Sequence, residues 1–107
     1  MASDKEYLDF VIEQLSEAEG ITSRAMMGEY ILYCRGKVFG GIYDNRFLVK
    51  PTAAAKALMP EAALETPYPG GKDMLLVEDM ENKAFLAKLV AAMYEDLPEP
   101  KAKKKKG

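Results

Sequence analysis

Residues 24–50, RAMMGEYILYCRGKVFGGIYDNRFLVK, constrain the fold more than any other part of this chain. Aromatic and aliphatic residues form short runs there, and each run is followed by turn-forming residues, a pattern typical of consecutive antiparallel strands. We interpret the segment as four short strands joined by three tight turns. Asp44-Asn45 tolerates positive φ at both centres and predicts a type I′ turn, whereas Gly36-Lys37 puts glycine first and predicts a type II′ turn.

With two-residue turns, the strand register predicts which side chains share a face of the sheet. One face is expected to receive the helices, and its members are almost all apolar: Ile31, Tyr33, Gly40, Ile42, Phe47 and Val49. The opposite face is expected to carry Tyr30, Leu32, Cys34, Phe39, Gly41, Tyr43, Arg46, Leu48 and Lys50. This second face mixes aromatic, aliphatic and cationic side chains, so it is too apolar for plain solvent and too basic for a core.

Helical periods and caps predict the elements on either side of this block. Ser3 and Glu6 fit a capping box, which predicts a first helix over residues 4–18. Thr52 predicts the start of a short alanine-rich helix that ends before Pro60.

The later part of the chain reads as a loop, a strand and a helix. Residues 60–73 contain three prolines and two glycines and are expected to form a loop. Residues 74–78 predict a buried strand, and either Asp79 or Asn82 is expected to cap the last helix.

Together these elements predict a two-layer α+β fold. An antiparallel meander of four to five strands is expected, with an N-terminal helix, a short middle helix and a C-terminal helix. We assign residues 1–97 to this domain and residues 98–107 to a Pro/Lys-rich tail.

The charge is divided unevenly between these two parts. Residues 1–97 carry a net charge of −6, whereas the tail carries +4. Because like charges interleaved with proline and alanine cannot bury a core, we expect a solvated, mobile tail that is dispensable for folding. It is either a solubilising terminus, which its shortness favours, or a phosphate-binding arm. The arm would use the tail lysines Lys101, Lys103, Lys104, Lys105 and Lys106.

The absence of histidine narrows the chemistry that the chain can support. Ser-His-Asp and Cys-His catalytic sites are excluded, as are His-ligated zinc sites. A single cysteine rules out an internal disulfide and, with seven methionines, suits a reducing cytoplasm. No apolar run approaches the roughly 20 residues of a membrane helix. We expect no enzyme activity, cofactor, metal, membrane contact or small-molecule substrate.

A glycine-rich segment at Pro69-Gly70-Gly71-Lys72 has two interpretations. Glycine amides and a lysine can cradle an anion, which makes Lys72 a candidate anion contact. The spacing differs from that of a phosphate-binding loop and a strand follows instead of a helix, so a structural turn is favoured.

The mixed sheet face is the strongest functional feature that the residues themselves reveal. Tyr30, Tyr43, Arg46 and Lys50 are the candidate contact residues, and the partner would be a second copy, another protein or an anionic ligand. The alternative is that the C-terminal helix or residues 60–73 fold over part of this face. A docking surface requires Tyr30, Tyr43 and Arg46 to be solvent-accessible in the monomer.

The residues that resemble a known family are concentrated in the strand block. They are Arg24-Ala25-Met26-Met27-Gly28, Tyr33, Gly36, Phe39, Arg46-Phe47-Leu48 and Lys50-Pro51, followed later by Tyr68-Pro69-Gly70-Gly71-Lys72. This pattern resembles the N-terminal domain of the TfoX/Sxy family of bacterial competence regulators, over roughly residues 4–97.

The resemblance implies a non-enzymatic module of transcription-related regulation, in which docking through the mixed face is the expected mechanism. The competence regulators carry a second, helical domain where this sequence has its tail, which leaves the control of competence genes open. The second hypothesis is a nucleic-acid accessory binder that uses the tail with Arg46 and Lys50.

Overall fold

A computed structural model describes residues 3–98, which form a six-stranded antiparallel sheet with the helices packed on one face. The elements are α1 (Lys5–Gln14), β1 (Ile21–Met26), β2 (Glu29–Cys34), β3 (Lys37–Tyr43), β4 (Arg46–Val49), α2 (Ala53–Leu58), β5 (Leu64–Glu65), β6 (Met74–Leu76) and α3 (Lys83–Tyr94). The strand order is β1-β2-β3-β4-β6-β5. The α+β fold is confirmed, and the sheet has slightly more strands than predicted because β5 forms within the expected loop. No helix within these residues is long and apolar enough to cross a membrane.

Three tight turns join the first four strands, as predicted. Their central residues are Met27-Gly28, Arg35-Gly36 and Asp44-Asn45, and all six have positive φ. This is the type I′ geometry, whose twist matches that of the strands it joins. The type I′ turn at Asp44-Asn45 is therefore confirmed. The type II′ turn at Gly36-Lys37 is wrong, because the turn is centred one residue earlier.

The shifted turn changes the register between β2 and β3. Tyr30 pairs with Ile42 instead of Tyr43, and a bulge leaves Phe39 without a partner on β2. A shift of one residue exchanges the two faces of a strand. The faces predicted for β2 are therefore wrong: Leu32 and Cys34 lie in the core beneath the helices, while Ile31 and Tyr33 lie on the other side. The register predicted between β3 and β4 is correct in all four pairs.

The core lies between the sheet and the helices, and two phenylalanines occupy its centre. Phe39 and Phe47 are both fully buried, with their ring centroids 6.3 Å apart in an edge-to-face arrangement. The placement of Phe39 on the outer face is thus wrong, because a bulge re-aims the side chain of the bulged residue. Gly40 follows directly, and a side chain there would collide with the backbone of β4.

The helix starts are predicted correctly at two of three sites. The Thr52 hydroxyl accepts a hydrogen bond from the Ala55 amide at 3.1 Å, and Asn82 caps α3 in the same way. The capping box at Ser3 and the extension of the first helix to residue 18 are wrong. The Ser3 hydroxyl donates instead to the Glu29 carboxylate, which ties the start of the chain to β2.

Gly36 supplies a direct test of the β2–β3 turn. Its φ of 87° lies where a β-branched residue is strongly strained. Gly36→Val should therefore lower the free energy of unfolding by at least about 1 kcal/mol. Urea unfolding followed by circular dichroism measures the change, and wild-type stability would contradict a positive φ at this position.

Candidate functional site

The face of the sheet that points away from the helices, here called the outer face, is partly covered by the segment before β6. Tyr68 from this segment packs against Tyr43 of β3, with ring centroids 6.0 Å apart at an angle of 58°. Tyr43 is only 8% exposed as a result. The expectation that Tyr43 is accessible in the monomer is therefore wrong, and the alternative that residues 60–73 fold over part of this face is correct.

Two glycines make room for the tyrosine pair. A Cβ atom at Gly41 would come within 2.7 Å of the Tyr43 ring, and one at Gly71 within 2.9 Å of the Tyr68 ring. The Gly71 amide donates to the Tyr68 carbonyl at 2.9 Å, and Gly70 has a φ of 87°. With Pro69 before it, this arrangement has the features of a type II turn. The interpretation of this segment as a structural turn agrees with that geometry.

Arg46 attaches residues 60–73, the segment that covers part of the outer face, to the sheet. We call these residues the covering segment. Its guanidinium donates to the Glu65 carboxylate at 2.6 Å and to the Thr66 carbonyl at 3.2 Å. Its Nε atom also donates to the Tyr43 carbonyl at 3.1 Å. Arg46 lies on the outer face as predicted, but each of its three guanidinium nitrogens donates to an acceptor within the chain.

A groove of about 580 Å³ opens beside the tyrosine pair, and we call it the outer groove. Tyr43, Tyr68, Pro51 and Pro67 contribute aromatic and proline surface to it. Its other lining residues are Val38, Gly40, Lys50, Gly70, Gly71, Lys72, Asp73 and Met74. The fold thus brings Lys72 together with two predicted residues of an earlier hairpin, Tyr43 and Lys50.

Lys50 is the most unusual side chain in the outer groove. It is half-buried, and burial lowers the pKa of its ammonium group. Within residues 3–98 this ammonium has no ion pair and no side-chain hydrogen bond. Partly desolvating a cation without a partner costs free energy. Lys50 therefore presents a cationic donor that is free to bind an anionic group.

The pKa of Tyr43 is shifted upward, whereas that of Lys50 is lowered. Burial is the main cause that raises the pKa of its phenol, and the neighbouring Tyr68, Glu29 and Tyr33 raise it further. A tyrosine phenol is already protonated at neutral pH, and the raised pKa of Tyr43 extends this state to higher pH, so its hydroxyl forms neutral hydrogen bonds.

The remaining predicted site residues lie in different places. Tyr30 packs against the core from the helix side, so it does not join Tyr43 on the outer face. Lys72 is exposed at the outer groove. The tail lysines Lys101, Lys103, Lys104, Lys105 and Lys106 lie outside the described residues.

Sequence reasoning missed the contribution of Tyr68 and the neighbouring Pro67. The segment Tyr68-Pro69-Gly70-Gly71 carried a usable signal, because an aromatic residue beside a proline-glycine turn can be held at a fixed position over a sheet. Within residues 3–98, no group of three or more histidine, cysteine, aspartate or glutamate side chains could hold a metal ion.

Comparison with known proteins places this fold in a family. The sequence pattern of the TfoX N-terminal domain matches residues 13–96, a range that includes the whole outer groove. The chain belongs to the TfoX N-terminal domain family. It is also 37% identical over 110 residues to an uncharacterized 12.7 kDa protein in the trpE 5′ region of Spirochaeta aurantia, covering 99% of this chain and 93% of that protein. No solved structure gives a significant match to this TfoX N-terminal domain.

Proposed function

We propose that this TfoX N-terminal domain is a non-enzymatic, cytoplasmic regulatory module that acts by docking a partner protein in the outer groove. Family membership supports a module like those of the competence regulators. The observation that carries the docking proposal is Lys50, a half-buried cation without a partner within residues 3–98, beside a wall of tyrosine and proline. The regulatory context would be transcription-related.

The lining of the outer groove favours a particular kind of partner segment. Grooves lined by aromatic side chains suit extended, proline-rich segments, whose rings lie flat against them at low entropic cost. Tyr68 is half-exposed and offers such a ring. An acidic side chain in the same segment would pair with Lys50. We therefore propose an extended peptide of a partner protein that carries a proline or another apolar residue and a carboxylate.

The second hypothesis, a nucleic-acid accessory binder, has less support from the described residues. Arg46 is engaged by Glu65, and residues 1–97 carry a net charge of −6, which repels phosphates. The two hypotheses give different forecasts. Phosphate binding weakens steeply as salt rises from about 50 to 200 mM, and it would fall when residues 98–107 are removed. Docking in the outer groove should persist in both cases.

A substitution at Lys50 tests whether the groove cation serves binding or stability. Lys50→Met keeps most of the unbranched side chain and removes the partly desolvated charge. We expect its melting temperature to be equal to or slightly higher than that of the wild type. Its affinity for a partner protein isolated by affinity capture from native cell lysate should fall at least about tenfold, the effect of one lost charge-assisted contact. Thermal unfolding and isothermal titration calorimetry measure the two quantities.

Lys56→Met is the matched control, because Lys56 is exposed on α2 and does not line the outer groove. It should leave the affinity unchanged. A marked loss of stability in Lys50→Met with unchanged affinity would show that Lys50 is structural and would contradict the proposal.

A further inference from the structure

The two edges of the sheet differ in how much backbone they expose. The edge formed by β5 is only two residues long. The other edge, β1, has six residues, five of them exposed, and it contains neither proline nor a bulge. Folded proteins usually protect such an edge, since its free N–H and C=O groups can pair with another strand.

The hydrogen-bond pattern shows which residues of β1 face outward. The Gly20 carbonyl accepts from the Arg35 amide at 2.8 Å, and Met26 faces Glu29 across the turn. In an antiparallel pair alternate residues bond to the neighbouring strand. The even-numbered residues therefore bond to β2, and Ile21, Ser23 and Ala25 direct their N–H and C=O groups away from the sheet. These groups form no hydrogen bond within residues 3–98.

Met27 is a second unusual feature at this edge. It is 96% exposed and has a φ of 52°. A long apolar side chain in water and a non-glycine residue in the left-handed region are both unfavourable, and asparagine or glycine would suit this turn better. Such a residue in a strained position points to a role in contact with another surface.

A groove with both apolar and acidic lining lies at the opposite end of the same strand. It measures about 450 Å³ and opens between α1 and β1. Ile12, Leu15, Ala18 and Ile21 give it apolar surface, and the rest of its lining is Asp9, Glu13, Ser16 and Gly20. We call it the α1–β1 groove. One edge of the sheet thus carries both an exposed apolar side chain, Met27, and a groove that could receive the Met27 side chain of a second copy.

We propose that a second copy of this chain pairs its β1 with β1 in antiparallel orientation, about a two-fold axis at Ser23. Ile21 then lies opposite Ala25 of the second copy. The outward N–H and C=O groups of Ile21, Ser23 and Ala25 in each strand form hydrogen bonds with those of the other strand. In this register Met27 of one copy is level with Glu19 of the other, next to the α1–β1 groove. Arg24 faces Thr22 of the second copy, so the two arginines are not directly opposed.

The edge favours a second copy because it is self-complementary. A two-fold interface uses the same surface on both chains and closes after two copies, which prevents further addition. The two-residue edge at β5 offers no comparable second site for growth. Strand pairing over this length is a small interface, so the dimer should be reversible, with a dissociation constant of about micromolar order. This inference does not depend on the outer groove.

Sedimentation velocity of the full chain from about 1 to 500 μM tests the proposal, together with two variants and one control. Ser23→Pro removes an outward N–H that β2 does not use, and Met27→Asn removes the apolar side chain while suiting the positive φ. Each should raise the dissociation constant at least about tenfold. Ser23→Ala keeps the N–H and should change it less than threefold.

Thermal unfolding at a concentration where the wild type is monomeric separates association from folding. Met27→Asn should be as stable as the wild type or more so, which keeps the test valid even if Ser23→Pro fails to fold. A wild type that stays monomeric at about 500 μM would overturn the proposal. A dimer whose dissociation constant is unchanged in Met27→Asn, and in Ser23→Pro if that variant folds, would overturn it as well. So would a dimer that dissociates only when residues 98–107 are removed.

Discussion

Replacing Phe39 by alanine should lower the free energy of unfolding by about 3–5 kcal/mol. Phe39 is fully buried and meets Phe47 edge to face, so truncation removes a large apolar area and leaves a cavity at the centre of the core. The loss is a large part of the roughly 5–15 kcal/mol that stabilises a typical domain. Urea unfolding followed by circular dichroism provides the measurement.

Phe10→Ala is the control for this prediction, since Phe10 is 41% exposed on α1 and should lose far less. A double-mutant cycle with Phe47→Ala should show an aromatic coupling of about 0.5–1.5 kcal/mol. If Phe39→Ala instead cost no more than Phe10→Ala, Phe39 would lie on the outer face, and the bulge in β3 would be wrong.

Local sequence signals were sufficient to predict most of the elements. The alternation of apolar residues between positions 24 and 50 predicted four strands, and Asp44-Asn45 fixed the register of β3 against β4. The prediction that Thr52 caps α2 was correct, because its short hydroxyl side chain accepts a hydrogen bond from a free backbone amide in the first turn of the helix.

The register of β2 could not be obtained in the same way. Gly36 can be the first central residue of a type II′ turn or the second central residue of a type I′ turn. The two turns differ by one residue in position, and so does the register of the strands that they join. In the observed type I′ turn Arg35 is the first central residue, with a φ of 50°. Arginine rarely adopts this left-handed conformation, so its identity does not predict the position. The bulge at Phe39 depends on burial of that ring against Phe47, a contact that exists only after β3 and β4 pair.

The candidate site was predictable only in part for a related reason. Tyr43 and Arg46 follow from the β3–β4 register, which places them opposite each other. The contacts of Tyr68 with Tyr43 and of Glu65 with Arg46 join segments about 20 residues apart across a loop without a strong periodic pattern. Those contacts decide that the outer face is a groove instead of an open surface.

A paired change in the outer groove should abolish partner docking while the fold remains intact. Lys50→Glu reverses the charge of the free cation, and Tyr68→Ser removes the half-exposed aromatic wall. Aromatic anchors and desolvated charges dominate contact energies, so we expect the affinity to fall by at least about a hundredfold, or roughly 2.7 kcal/mol. Tyr43 and Arg46 are kept, because Tyr43 is buried and Arg46 fastens the covering segment through Glu65.

The most direct measurement is affinity capture from native cell lysate, treated with nuclease and quantified by mass spectrometry. Three immobilised proteins are compared: the wild type, the Lys50→Glu/Tyr68→Ser variant, and a Lys56→Glu control with its charge reversal outside the outer groove. Docking in the groove predicts one protein enriched by the wild type and the control at both 150 and 500 mM salt, and strongly depleted with the groove variant. Equal capture by all three proteins would contradict the proposed function, as would a protein that is captured from untreated lysate but not from the nuclease-treated lysate.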